Sequence, residues 1–295
     1  LKSELDRITV ALTNEKILDK PDTGPANLLA QRANAPKGIV DPAAAARRIR
    51  LATYPPCPAL LPFVDYFWLV EWDLAGRPPQ IQRVLPYPNA HLVFERGQSA
   101  IHGVVRGPFD RQVAGAGLVV GIRFKPGGLR PFIDQPLARL TGRTVPADGL
   151  LGMSTAAAEE QVLAQTNDQS RVAAATALLM AILPAVDARA LEVAQVVAMA
   201  EAAGGPVSVA ALASKAGIGE RSLQRLFSEY VGVSPKWVIQ RFRLQEAAWL
   251  LAQEGAVDLA DLAARLGFFD QAHLTRDFTR LVGRSPLDYW KSQRA

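Results

Sequence analysis

From about Ser154 to the end of the chain, apolar residues recur at helical spacing with few breakers between them. Residues 155–165 and 169–183 predict two helices, the second capped by Asp168 and ended at Pro184. Residues 188–203 predict a third, stopped by Gly204, Gly205 and Pro206. Residues 53 to about 150 follow a different pattern. Short apolar runs at 64–70, 81–85, 91–94 and 118–124 are separated by Gly- and Pro-rich turns at 75–79 and 125–128. Such runs predict a β-sandwich or barrel-like domain. Residues 1–52 are broken by Pro21, Pro25, Pro36 and Pro42 and read as an arm or linker. Within it, Leu5, Ile8 and Leu12 could share a helical face, and 43–50 a helical turn or two. The expected fold is α+β. It comprises the arm (1–52), a β-rich sensor or dimerisation domain (53–153), connecting helices (154–186) and an all-α domain (187–295).

The all-α part repeats itself. Residues 207–218 lie over 257–268, fifty positions on. After Gly217 and Gly267 the register slips by one. Leu223, Arg225, Phe227, Gly232, Ser234 and Pro235 then match Leu274, Arg276, Phe278, Gly283, Ser285 and Pro286. Each copy has the makings of a helix-turn-helix. Ser208 and Asp258 can cap the first helix. Leu212 with Ala216, and Leu262 with Leu266, share a face, while Ala213 and Ala263 let a second helix cross closely. Gly217 and Gly267 suit a left-handed turn, plugged by Ile218 or Phe268. Residues 236–252 predict an unbroken linker helix about 25 Å long. That length suits two reading helices set roughly one DNA turn, about 34 Å, apart. The alternative is a helical protein-interaction module. A solenoid of that kind wants three or more copies, and it leaves the polar outer faces unexplained.

At these residues the tail resembles the AraC/XylS family of transcription regulators. The matching pieces are Leu212-Ala213, Gly217-Ile218, residues 223–227, residues 232–235, Arg243-Leu244, Leu262-Ala263, Gly267-Phe268 and residues 278–286. The resemblance covers about 187–295, a third of the chain. It implies a double helix-turn-helix whose second helices enter adjacent major grooves of double-stranded DNA. Carried over position by position, Arg221, Gln224 and Arg225 would read bases from the first unit, and Gln271, His273 and Arg276 from the second. Arginine suits guanine and glutamine suits adenine. Lys236, Arg241, Thr275, Arg280 and Ser285 would contact phosphates, and Arg243 would be an ion-pair partner within the linker helix. The family often has Ser where Gly219 and Phe269 stand. Gly219 still caps tolerably; Phe269 does not, which leaves Asp270 to cap the second reading helix. The implied role is an effector-responsive, DNA-binding regulator in the cytoplasm, an activator with RNA polymerase among its partners.

Charge adds less than its total suggests. The chain carries a formal +5, yet from Asp187 onward there are thirteen Lys or Arg against twelve Asp or Glu. DNA affinity must therefore come from the placement of cations rather than from bulk charge. The β-rich region loosely resembles sensor domains that precede such tails, which suggests a small-molecule effector or a homodimer. Trp68, Trp72, Tyr87 and Phe124 are candidate pocket walls, with Arg83, His91 and Arg123 as polar anchors. Two His in this region, His91 and His102, are too few for a metal site, so neither metal nor cofactor is expected. Residues 125–128 lack the order of a phosphate loop, and no Ser/His/Asp or paired-carboxylate arrangement appears, so no catalytic residues are assigned. An enzymatic β domain fused to the DNA-binding tail is the weaker alternative. Cys57 is the one cysteine, between prolines, which excludes an internal disulfide. No apolar run reaches membrane-spanning length, and the first residues lack a secretory pattern.

Overall fold

Strand β2 (Val64–Leu74) sets the frame of the N-terminal half. Its residues alternate, sending Phe67 and Leu69 to one face of the sheet and Trp68, Val70 and Trp72 to the other. The computed structural model describes residues 49–203, 207–253 and 257–294. The expected arm over 1–48 lies outside them. All belong to one unit, Gly38–Ala295. Strand β1 (Ile49–Tyr54) borders β2. The others are β3 (Gln80–Val84), β4 (His91–Glu95), β5 (Ala100–His102), β6 (Phe109–Val113), β7 (Gly115–Phe124) and β8 (Thr144–Val145). Six strands form one antiparallel sheet in the order β1-β2-β7-β4-β5-β8, and β3 pairs with β6 in a separate ribbon. The fold is therefore β-rich first and helical after, as the pattern predicts. Strands β1, β5, β6 and β8 had no clear signal. Arg50, expected in a helical turn, lies in β1.

Register places Phe67, Ile122 and Leu92 side by side on three neighbouring strands. Helix α1 (Asp148–Leu151) is a single turn. Helices α2 (Thr155–Leu163) and α3 (Asp168–Ala181) then cover this face. Ala158, Val162, Ala175 and Leu179 are buried in the same core as Phe67, Leu92, Phe94 and Ile122. These helices are thus part of the β-rich domain rather than connectors, because the sheet needs an apolar layer on its inner face. The cap of α3 is Asn167, whose side chain accepts from Ser170 N at 2.9 Å. Asp168 has another task. It accepts from Arg50 at 2.6 Å and from the Tyr54 hydroxyl at 2.7 Å, tying β1 to α3. The Arg50 guanidinium holds its carboxyl down at about 2.

The helical half runs α4 (Ala188–Ala202), α5 (Val209–Lys215), α6 (Glu220–Tyr230), α7 (Pro235–Gln253), α8 (Leu259–Arg265), α9 (Gln271–Val282) and α10 (Pro286–Ser292). Its apolar residues form two clusters, one per repeat. Leu212, Ala213, Leu223 and Phe227 centre the first. Leu262, Ala263, Leu274 and Phe278 centre the second. Helix α7 contributes to both, with Val238 and Phe242 in the first and Ala247 and Leu251 in the second.

Candidate nucleic-acid interface

The two units are built alike. Ser208 caps α5 by accepting from Ala211 N, and Asp258 caps α8 by accepting from Ala260 N and Asp261 N. Both first helices end in the same double turn. Gly217 N and Ile218 N donate to Ser214 O and Ala213 O; Gly267 N and Phe268 N donate to Ala264 O and Ala263 O. That pattern needs a left-handed residue, and Gly217 and Gly267 have φ of 70° and 71°. The Ser-Pro pairs close one helix and open the next. Ser234 Oγ accepts from Trp237 N, and Ser285 Oγ from Asp288 N, each followed by a proline in the first turn.

On α6, Leu223, Leu226 and Phe227 face inward, which leaves Arg221, Gln224 and Arg225 exposed together at its first turns. On α9, Leu274, Phe278 and Leu281 face inward, and Gln271 and Arg276 are exposed. Arg221, Arg225 and Arg276 form no ion pair among the described residues, so their guanidinium groups are available. His273 is held back. Its Nε2 lies 3.2 Å from Asp277, and its ring meets Phe268 edge-on at 5.4 Å. Asp270 caps α9, accepting from His273 N at 2.7 Å, while Phe269 stands 92 % exposed beside it. Gly219 opens α6 without a side-chain cap.

Of the phosphate candidates, Lys236 and Arg280 are exposed and Thr275 half-buried. Two others are engaged within the protein. Ser285 spends its hydroxyl on Asp288, donating to the carboxylate and accepting from the backbone. Arg241 is buried: it points at the β-rich domain, where Nη2 donates to Arg106 O at 2.5 Å. Arg243 forms no ion pair within its helix. It donates to Val207 O at 2.9 Å and to Gly267 O at 3.1 Å, so one side chain of α7 joins the start of the first unit to the turn of the second.

The β-rich domain grips the same turn in both units. Thr141 Oγ1 donates to Gly232 O at 2.6 Å, and Arg83 Nη1 donates to Val282 O at 2.9 Å, next to Gly283. Gly232 and Gly283 are repeat equivalents with φ of 89° and 81°. Arg130 adds an ion pair to Glu229 at 2.7 Å, and Gln245 on α7 donates to Pro86 O at 3.3 Å. All these contacts lie at the C-terminal ends of α6 and α9 or along α7, away from the exposed residues that open the two helices.

Among the described residues, the side chains expected to line an effector pocket are engaged with other protein groups. Phe124 is fully buried in the core on the inner sheet face. Arg83 is drawn off by Asp110 at 2.6 Å and by Val282. On the outer face, the indoles of Trp68 and Trp72 lie against Gly121 and Gly117, where a Cβ would come within 2.0 and 2.2 Å of the rings. Trp68 Nε1 donates to His91 Nδ1 at 3.2 Å, and Trp72 Nε1 to Ala114 O at 3.1 Å. Arg123 donates to Tyr66 and Asn89, both at 2.9 Å, pairs with Asp65 at 3.1 Å and stacks on Tyr87. Burial, helped by the Arg123 charge, pushes His91 down to about 3, so its ring is neutral. Tyr87 in turn meets Phe242 on α7 at 6.0 Å. Protein groups already occupy these side chains, which form a packed layer reaching from the sheet to the linker helix.

Two family descriptions match separate stretches of the chain. Residues 212–292 match a family described as a helix-turn-helix domain, and residues 52–146 match a domain of unknown function, DUF6597. The HTH-type transcriptional regulator Rv1931c of Mycobacterium tuberculosis is 37% identical over 90 residues, covering 30% of this chain and 34% of its own. The HTH-type transcriptional activator RhaR of Yersinia pseudotuberculosis is 39% identical over 70 residues, 24% of each chain. Matched residues thus span about a third or less of these relatives' lengths. A solved transcriptional regulator from Chromobacterium violaceum, of the AraC-type DNA-binding domain-containing proteins, aligns over 35% of this chain and 91% of its own, with 24% identity and a TM-score of 0.32. No described helix is long and apolar enough to cross a membrane.

Proposed function

We propose that this chain, whose residues 212–292 match a helix-turn-helix domain family, is a sequence-specific DNA-binding transcriptional regulator of the AraC type. The observation that carries the reading is the pair of second helices. Each follows a glycine turn and buries the same face as its repeat, and each presents exposed Arg and Gln side chains. Arg221, Gln224 and Arg225 are the first reading set; Gln271 and Arg276 are the second, with His273 beside them held by Asp277 and Phe268. Exposed Phe269 suits contact with a thymine methyl at the start of α9. Lys236, Thr275 and Arg280 orient the protein on phosphates. The β-rich domain responds to an effector or a second copy of the chain, and RNA polymerase is the downstream partner. The test is selection of bound fragments from random duplex DNA by the purified chain, followed by titration at fixed salt. A recurrent motif bound far more tightly than random sequence is expected; enrichment of no motif overturns the reading.

A further inference from the structure

A cleft of about 160 Å³ opens where the β-rich domain, α7 and α9 meet. Arg106 comes from the first, Trp237, Arg241 and Leu244 from the second, Arg280 and Leu281 from the third. Arg241 is the anomaly. It is only 4 % exposed, yet it has no carboxylate partner among the described residues. Nη2 reaches the Arg106 carbonyl, the guanidinium lies 4.6 Å from the Trp237 ring centre, and Nη1 is buried without an acceptor. One carbonyl and a ring face do not compensate a desolvated cation, and burial pulls Arg241 down to about 10. The cleft's acid, Asp277, is already engaged by Gln240, His273 and Arg280. Two arginine side chains, Arg241 and Arg280, thus line the cleft beside a single committed carboxylate. Apart from Gln240, the remaining walls are apolar or glycine. A cavity of roughly 150 Å³ holds one benzene ring.

We propose that this cleft binds a small organic carboxylate. Its charged end pairs with Arg280 and is drawn by the uncompensated charge of Arg241 just beneath the cleft wall, and an apolar body about one six-membered ring in size lies against Leu244 and Leu281. Because the walls come from three elements, occupancy favours the arrangement in which all three meet. DNA and ligand then change each other's affinity by the same factor. Only this coupling rests on the DNA-binding reading; the site itself stands without it.

Calorimetric titration of the full chain at fixed ionic strength tests the site, with cyclohexanecarboxylate as probe and cyclohexanecarboxamide and inorganic phosphate as comparisons. One carboxylate per chain is expected, with the neutral amide weaker by about tenfold or more. Arg241→Met and the surface variant Arg280→Gln should each weaken the carboxylate about tenfold. The second variant keeps the test intact if the first does not fold. Absence of carboxylate binding, equal binding of the amide, or unchanged affinity in Arg280→Gln overturns the site. Phosphate binding as tight as the carboxylate overturns the apolar half of the ligand. Ligand binding with no change in DNA affinity overturns the coupling. Ligand binding by a chain that binds no DNA sequence specifically supports the site while removing the regulator reading.

Discussion

Arg225 and Arg276 stand at equivalent places in the two repeats, exposed and free of ion pairs among the described residues. A bidentate contact from Arg to guanine contributes about 1–3 kcal/mol of discrimination. Arg225→Ala should therefore lower affinity for the selected sequence by roughly ten- to a hundredfold and leave random duplex nearly unaffected, as measured by anisotropy titration. Equal loss on both sequences would place Arg225 on phosphate instead. Asp270 carries a different cost. Asp270→Ala removes the cap of α9 and should destabilise the domain by about 1 kcal/mol, read as a shift in urea midpoint. At this scale the sequence was informative wherever a residue's task is local. Asp270 as a cap and Gly217 as a turn follow from neighbours a few positions away. For Arg241 and Ser285 the partners, not the neighbouring sequence, decide what the side chain does. Arg106 is a surface loop far off in sequence, and Asp288 competes for a hydroxyl that looked free.

At the scale of elements, the glycine turns and the linker helix set where the reading helices point. Gly217 has open space around its missing Cβ, so Gly217→Ala tests backbone conformation alone. A left-handed alanine costs about 1–2 kcal/mol, and thermal unfolding of the variant should show that loss. Arg243→Leu removes two charged hydrogen bonds that span the units. Its expected cost is about 2 kcal/mol in stability, with a larger loss of DNA affinity than of fold, because the two helices lose their common register. Periodicity revealed α5 to α9 since each repeat buries its own apolar stripe. It missed β1, β5, β6 and β8 because those strands are short or polar and exist by pairing with distant neighbours. Phe124 and Arg123 show the same limit. Adjacent in a strand, they point to opposite faces, and proximity in sequence says nothing of a shared pocket.

In the molecule as a whole, the β-rich domain is joined to both units by Thr141 and Arg83 at equivalent turns, while the openings of α6 and α9 stay free. Such a brace can change the spacing of two readers without covering either. Within the β-rich domain, the Arg50–Asp168 tie gives a pH signature. Asp168 titrates at about 2 in the folded chain, below the ordinary value of about 4. Its stabilisation is complete above pH 4 and is lost as pH falls towards 2. Asp168→Asn should therefore be less stable than the parent at pH 6, with the gap closing near pH 2 in acid titration. The central claim is that one chain reads DNA with two unequal helix-turn-helix units. Footprinting the selected duplex with the purified protein, parent beside Arg225→Ala and Arg276→Ala, tests it most directly. Two protected half-sites about one helical turn apart are expected, with each variant losing its own half first. A single protected patch, or one lost whole in both variants, would contradict it.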